Sequence, residues 1–436
     1  MSSSKLFQIP RHDPIRLPYP LGEDFAASLP HRLNYAKGLQ NEVEKLYPEF
    51  RFHVEHHALC LIATSRHFPK GGALSLGLPE SILKRLLEGV SPFAKHYMLH
   101  SSPLNKADFQ ATWGHAFYRA PIERPELTDE YVQEATFEEL KQSMYYEQRY
   151  QTSPGLKSLS THNDYEDNEC RHRDGNVCQI SNWEEETTDP YIFSFIPPGW
   201  NNTVDNSNAT GNLSPSGRIL TDVDLLDNVV SPNALGMTHK AWNMICVHAD
   251  LFRVLSDGWC ALKYEKTEPR NDKKVDVVCR FYWMPQLEPR FNKMANGTAE
   301  VYALLEEFNL FFEAKCPPPP VYPSDSEVSP DSGDVVKLKR EEADVPKTIA
   351  AIKVHWNCVL YTALCGGAGR SQFLTGMDQR DGSVKAWDKE FMAVRDQVER
   401  NHRVEDMTWK RPGRSEYGTE STGRTTESEA DFARGA

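Results

Sequence analysis

Four short landmarks, in fixed order between Cys170 and Pro285, constrain this chain more than anything else in it. The first is Cys170–Asn182 (CRHRDGNVCQISN) and the second Phe193–Asn202 (FSFIPPGWNN). The third is Ala241–Lys263 (AWNMICVHADLFRVLSDGWCALK), and the fourth is Val275–Pro285 (VDVVCRFYWMP). Gly258–Lys263 and Val275–Pro285 read as strands, because β-branched and aromatic residues suit a pleated, half-buried surface. Residues 201–235 are rich in Asn, Ser, Gly and Asp and read as a loop insert.

Composition limits what surrounds this unit. A length of 436 residues suggests two or three structural units. A hydrophobic share of 39% is enough to build a core, while 25% charged residues and a mean hydropathy of -0.59 point to a soluble chain. No apolar run approaches the roughly 20 residues that cross a bilayer, so no membrane partner is expected. The opening MSSSKLFQIPRHDPIRLPYP lacks a basic segment followed by an apolar stretch, so the expectation is an intracellular protein, cytoplasm or nucleus unresolved. The nine cysteines are scattered and form no C-x2-C pair, which suits free buried thiols in a reducing compartment. A net charge of -13 disfavours nucleic acid as a partner, since phosphates must be neutralised by Lys and Arg.

The landmarks resemble the HNH endonuclease domain found in many fungal proteins. Arg173-Asp174-Gly175, followed by Cys178, is similar to that family's opening. Phe193-Ser194-Phe195-Ile196-Pro197 and Gly199-Trp200-Asn201 resemble its second landmark, a small residue, His, two apolar residues and Pro, then Trp-Asn. Trp242-Asn243-Met244-Ile245 and Leu251-Phe252 resemble the third, in which Trp-Asn-Met precedes a Leu-His on a helix. The resemblance implies an α+β chain with a central ββα-metal (HNH-like) domain between mostly helical N- and C-terminal regions. It implies a general-base His on a strand, a metal-binding His on the next helix, and an Asn that positions the loop.

The two histidines are replaced, by Ser194 and Phe252, while the Asn is kept as Asn243. A hydroxyl has no useful basicity near neutral pH, and a phenyl ring offers a metal nothing. The resemblance therefore implies a pseudoenzyme that acts as a binding or scaffold protein, with no metal and no cofactor and an unknown partner. The alternatives are a metal-dependent endonuclease with relocated ligands, drawn from His248, Asp250 and Asp257, or a factor of fungal specialised metabolism that has reused the fold. His248 and Phe252 share one helical face, and the two acids suit a hard cation.

Residues 1–155 read as a mostly helical N-terminal region. Within it, Asp24–Tyr47, a helix inside Ser75–Met98, and Thr128–Gln151 carry helical spacing, whereas the apolar, β-branched end of Arg51–Ser65 fits a strand in part. A linker at 156–168 precedes the HNH-like unit at 169–290. A helix follows at 291–316, then a disordered linker at 317–346, a helical region at 347–409 and a disordered tail at 410–436.

Other groupings have ordinary readings. His53, His56 and His57, and His96 with His100, have metal-face spacing on a helix but read as packed or surface histidines. Cys170, His172 and Cys178 lack the second cysteine pair of a zinc knuckle. Cys365–Arg370 (CGGAGR) follows a helix and lacks the Lys-Ser/Thr ending of a phosphate loop, so it reads as a helix-terminating turn. Leu338-Lys339-Arg340-Glu341 fits a sumoylation-type tetrapeptide, a common chance match.

Overall fold

The computed structural model describes residues 23–98, 163–181, 190–290, 299–313 and 329–369, save 49, 70–71, 76–79, 232 and 271–272, together with 157, 318, 319 and 322. The expected helix at Thr128–Gln151, the second half of the C-terminal region and the tail lie outside the described residues. The chain is α+β, and the described residues form two small antiparallel sheets among many helices.

Among the described residues the N-terminal part holds α1 (Glu23–Leu46), α2 (Val54–Ile62), α3 (Glu80–Glu88) and α4 (Val90–Met98). α1 buries Leu33, Ala36, Leu39 and Val43, the stripe its periodicity predicts. The stretch that fits a strand is α2 instead. Val54 to Leu61 are all buried, so the run has no alternation to distinguish strand from helix. Gly89 separates α3 from α4, where a Cβ would lie 2.2 Å from the Ser216 hydroxyl.

Helix α5 (Asp164–Asp174) starts inside the expected linker. Its buried positions are Asp167, Cys170 and Asp174, helical in spacing but two of them acids, so apolar periodicity does not reveal it. Asn163 caps it, acids fill its first turn, basic residues its last, and Gly175 ends it at φ 68. Strand β1 (Tyr191–Ser194) pairs antiparallel with β2 (Met244–Val247) in the register Tyr191↔Val247, Ile192↔Cys246, Phe193↔Ile245 and Ser194↔Met244.

The connection between these strands corrects the loop reading of 201–235. It holds α6 (Val204–Thr221) and the short α7 (Leu225–Asn228). Thr203 caps α6 by accepting from Asn206 N, and most α6 side chains are buried. The small polar residues that suggest a loop are what let α6 approach α4: Gly217 sits on the Phe93 ring, where a Cβ would come within 2.3 Å. Thr210, Ser214 and Thr221 bond back to carbonyls of their own helix, which satisfies their hydroxyls in the interior. Asn201 fastens both ends of the excursion. Its Nδ2 donates to Ser207 Oγ at 2.9 Å and its Oδ1 accepts from Met237 N at 2.8 Å.

After β2 come α8 (Ala249–Ser256), β3 (Cys260–Pro269) and β4 (Lys274–Trp283). The second sheet has the order β3-β4-β5, where β5 is Val335–Glu341. β5 therefore corrects the disordered reading of 317–346 over these residues. Val336, Leu338 and Arg340 point inward with period two, a pattern obscured by the neighbouring prolines and acids. Leu338 is fully buried, so the tetrapeptide ending at Glu341 is held in a strand. Helices α9 (Ala299–Glu313) and α10 (Val345–Leu364) match expectation, and α10 lies against β3. Its end is the turn read from the CGGAGR segment: Gly366 has φ 79, and a Cβ there would meet Glu288 O at 2.2 Å.

The core holds uncharged histidines. Burial above all pulls His56 and His355 down to about 3 and His57 to about 4. An unfolded chain takes up these protons below about pH 6.5, while the native state refuses them until far lower. Their contribution is whole above that value and is lost as pH falls toward the folded values. The urea midpoint is expected to drop between about pH 7 and about pH 5, with a shallower drop in His355→Gln; an unchanged midpoint over that window would refute this assignment.

Candidate functional site

The sequence-derived positions meet at the β1–β2 hairpin and α8. Asn243 is fully buried at the entry to β2. Its Oδ1 accepts from Ile196 N at 2.9 Å, and its Nδ2 donates to Ile196 O at 2.6 Å and Thr238 O at 2.7 Å. The chain leaving β1 is thus tied to the chain entering β2. Trp200 is also fully buried, stacked on His96 at 4.9 Å and donating from Nε1 to His96 O. His96 Nε2 meets Thr210 Oγ1 at 2.9 Å, a packed histidine as expected.

Ser194 and Phe252 are on opposite faces of the hairpin. Directly paired residues share a face, and Met244, the partner of Ser194, belongs to a small cluster with Cys170, Cys246 and Ile192 on the α5 side. Phe252 is on the other side. Its ring lies 5.4 Å from Tyr191 and 6.5 Å from Phe193. Phe193 continues the aromatic layer to His355 of α10 at 5.4 Å, and Tyr97 Oη bridges His355 Nδ1 and Phe195 O.

The relocated ligands do not converge. His248 is the N-cap of α8, with Nδ1 accepting from Asp250 N at 3.4 Å and 3.6 Å from the Asp250 carboxylate. Asp257 is the C-cap at the opposite end of this eight-residue helix, about 12 Å away at helical rise. One ion cannot take ligands from both ends. Burial pushes the Asp257 carboxyl up, with Arg253 opposing, and its backbone carbonyl accepts from Gly369 N.

The residues that do converge lie between α5 and β2. The sulfurs of Cys170 and Cys246 and a carboxylate oxygen of Asp174 all lie within 4.8 Å of one another, and all three residues are buried. Arg173 grips the carboxylate with both arms, Nε to Oδ1 at 2.6 Å and Nη2 to Oδ2 at 2.9 Å. The same guanidinium donates to Cys170 Sγ at 3.3 Å and to the carbonyls of Ala241 and Met244. Cys246 N donates to Asp174 Oδ2 at 2.9 Å. Arg340 of β5, fully buried, shares the Met244 carbonyl at 2.9 Å; burial first and Arg173 second lower it to about 9, still charged at neutral pH. A closed structural zinc site needs four protein ligands. This cluster has three, with a guanidinium bonded to two of them, and His172 is exposed on the far side of α5. Cys178 is buried apart from the trio.

Sequence reasoning finds Arg173 and Asp174 through the resemblance but misses their role. It misses Arg340 because the period-two pattern of β5 is short. No protein-family model, curated protein or solved structure matches this chain.

Asp174 is the carboxylate of this cluster, paired with the partly buried Arg173 and close to the buried Arg340. Asp174→Ala is expected to lower stability by about 3–5 kcal/mol, the cost of stranding buried charge. Asp250→Ala, at a half-exposed carboxylate, is expected to stay within about 0.5 kcal/mol. Urea unfolding of both variants tests the difference, and equal effects would contradict it.

Proposed function

We propose that residues 169–290 are a degenerate HNH-like ββα module that has given up phosphodiester cleavage and serves as a binding or structural scaffold. The order β1, β2, α8 with Asn243 tying the loop supports the kinship. The observation that carries the loss of chemistry is the separation of Ser194 and Phe252 onto opposite hairpin faces, with rings of Tyr191, Phe193 and Phe252 lining the α8 side. A general base and a metal ligand must meet at one phosphate, and here neither residue type nor placement allows it. The net charge of -13 adds to this.

The test is nicking of supercoiled plasmid with Mg2+ or Mn2+. The protein is expected to leave the plasmid intact, and so is the Ser194→His, Phe252→His double variant, because its imidazoles would sit on different faces. Metal-dependent nicking by the protein, abolished in His248→Ala, would overturn the proposal.

A further inference from the structure

Cys170 and Cys246 sit in one pocket, one on α5 and the other on β2, with their sulfurs within 4.8 Å. Together with Met244 they form a cluster separate from the main hydrophobic core. The hydrogen bond to Cys170, with burial, pushes the Cys246 thiol up. The Cys170 sulfur accepts from Arg173 Nη2 at 3.3 Å, and its thiol donates to Asp174 Oδ2 at 3.7 Å. The two sulfurs thus face each other in a pocket also lined by a guanidinium and a carboxylate.

Access is one helix thick. The outer side of α5 is open to solvent, with Tyr165 68% exposed and Asp164, Glu169 and His172 also exposed. A trio with two members already bonded to a guanidinium does not favour a metal, whereas two adjacent sulfurs suit a bond between them.

We propose that Cys170 and Cys246 are an oxidative modification site, forming a disulfide that staples α5 to the β1–β2 hairpin when the protein meets a small peroxide. In the first step one sulfur attacks a peroxide oxygen; the O–O bond breaks, one water leaves and a sulfenic acid forms. In the second step the other sulfur attacks the sulfenic sulfur; the S–S bond forms and a second water leaves. Two thiols lose two protons and two electrons, and hydrogen peroxide is reduced to two waters.

The experiment treats the full chain with hydrogen peroxide, then alkylates under denaturing conditions and maps peptides without reduction. The expected result is a Cys170–Cys246 cross-linked peptide lighter by two hydrogens, reversed by dithiothreitol. An unfolding midpoint higher by roughly 5 °C is expected with it, since the bond restricts the unfolded chain. In Cys246→Ser the cross-link is expected to vanish and Cys170 to be trapped by dimedone as a sulfenic acid. Full alkylation of both cysteines after peroxide would overturn the proposal. So would protection of both by a stoichiometric metal that a chelator removes, and the peptide map of the unaltered protein reads either result without any variant.

Discussion

Three hydrogen bonds from one side chain fix the centre of this molecule. Asn243 answers the N–H and C=O of Ile196 and the C=O of Thr238, all in the interior. Buried backbone groups without partners are costly, so the exit from β1 and the entry to β2 are held in one relation. Everything between them is an excursion from a closed point. Asn201 repeats the device one turn further on, bonding Ser207 and Met237 across the base of that excursion. A helix as poor in apolar residues as α6 persists because its base is fastened and small residues let it pack closely, Gly217 against the Phe93 ring and Ser216 against Gly89.

The hairpin so formed separates two unlike environments. Toward α8 and α10 it presents aromatic rings and an uncharged His355. Toward α5 it presents sulfur, a carboxylate and the two guanidiniums of Arg173 and Arg340, which converge on the Met244 carbonyl. The polar face is a tie in which one carboxylate and the Met244 carbonyl serve two guanidiniums, and it joins α5, β2 and β5. Arg340 makes β5 part of this tie as well as the third strand of its own sheet. Burial holds His355, among the rings of the other face, uncharged, so it acts as polar packing.

Elements whose core-facing residues are apolar were legible in the sequence. α1, α9 and α10 follow from helical spacing, and β3 and β4 from β-branched and aromatic runs. α5 escapes because its inward residues include Asp167 and Asp174, whose partners are distant in sequence. α6 escapes because Gly and Ser, poor helix formers in isolation, are there for close approach. β5 escapes because its alternation spans seven residues beside a Pro-rich and acidic stretch. At the site, Asn243 and the Arg173-Asp174 pair were visible only through the resemblance. The separation of Ser194 from Phe252 depends on strand register, which spacing does not set.

The central proposal is that this hairpin and helix are a degenerate nuclease-like module that no longer binds a metal. The most direct measurement is titration of the full chain with Mn2+, read by the loss of the free-ion electron paramagnetic resonance signal. The account predicts a free-ion signal unaffected by the protein beyond weak, salt-sensitive surface binding. Stoichiometric binding that survives moderate salt and disappears in His248→Ala would contradict it.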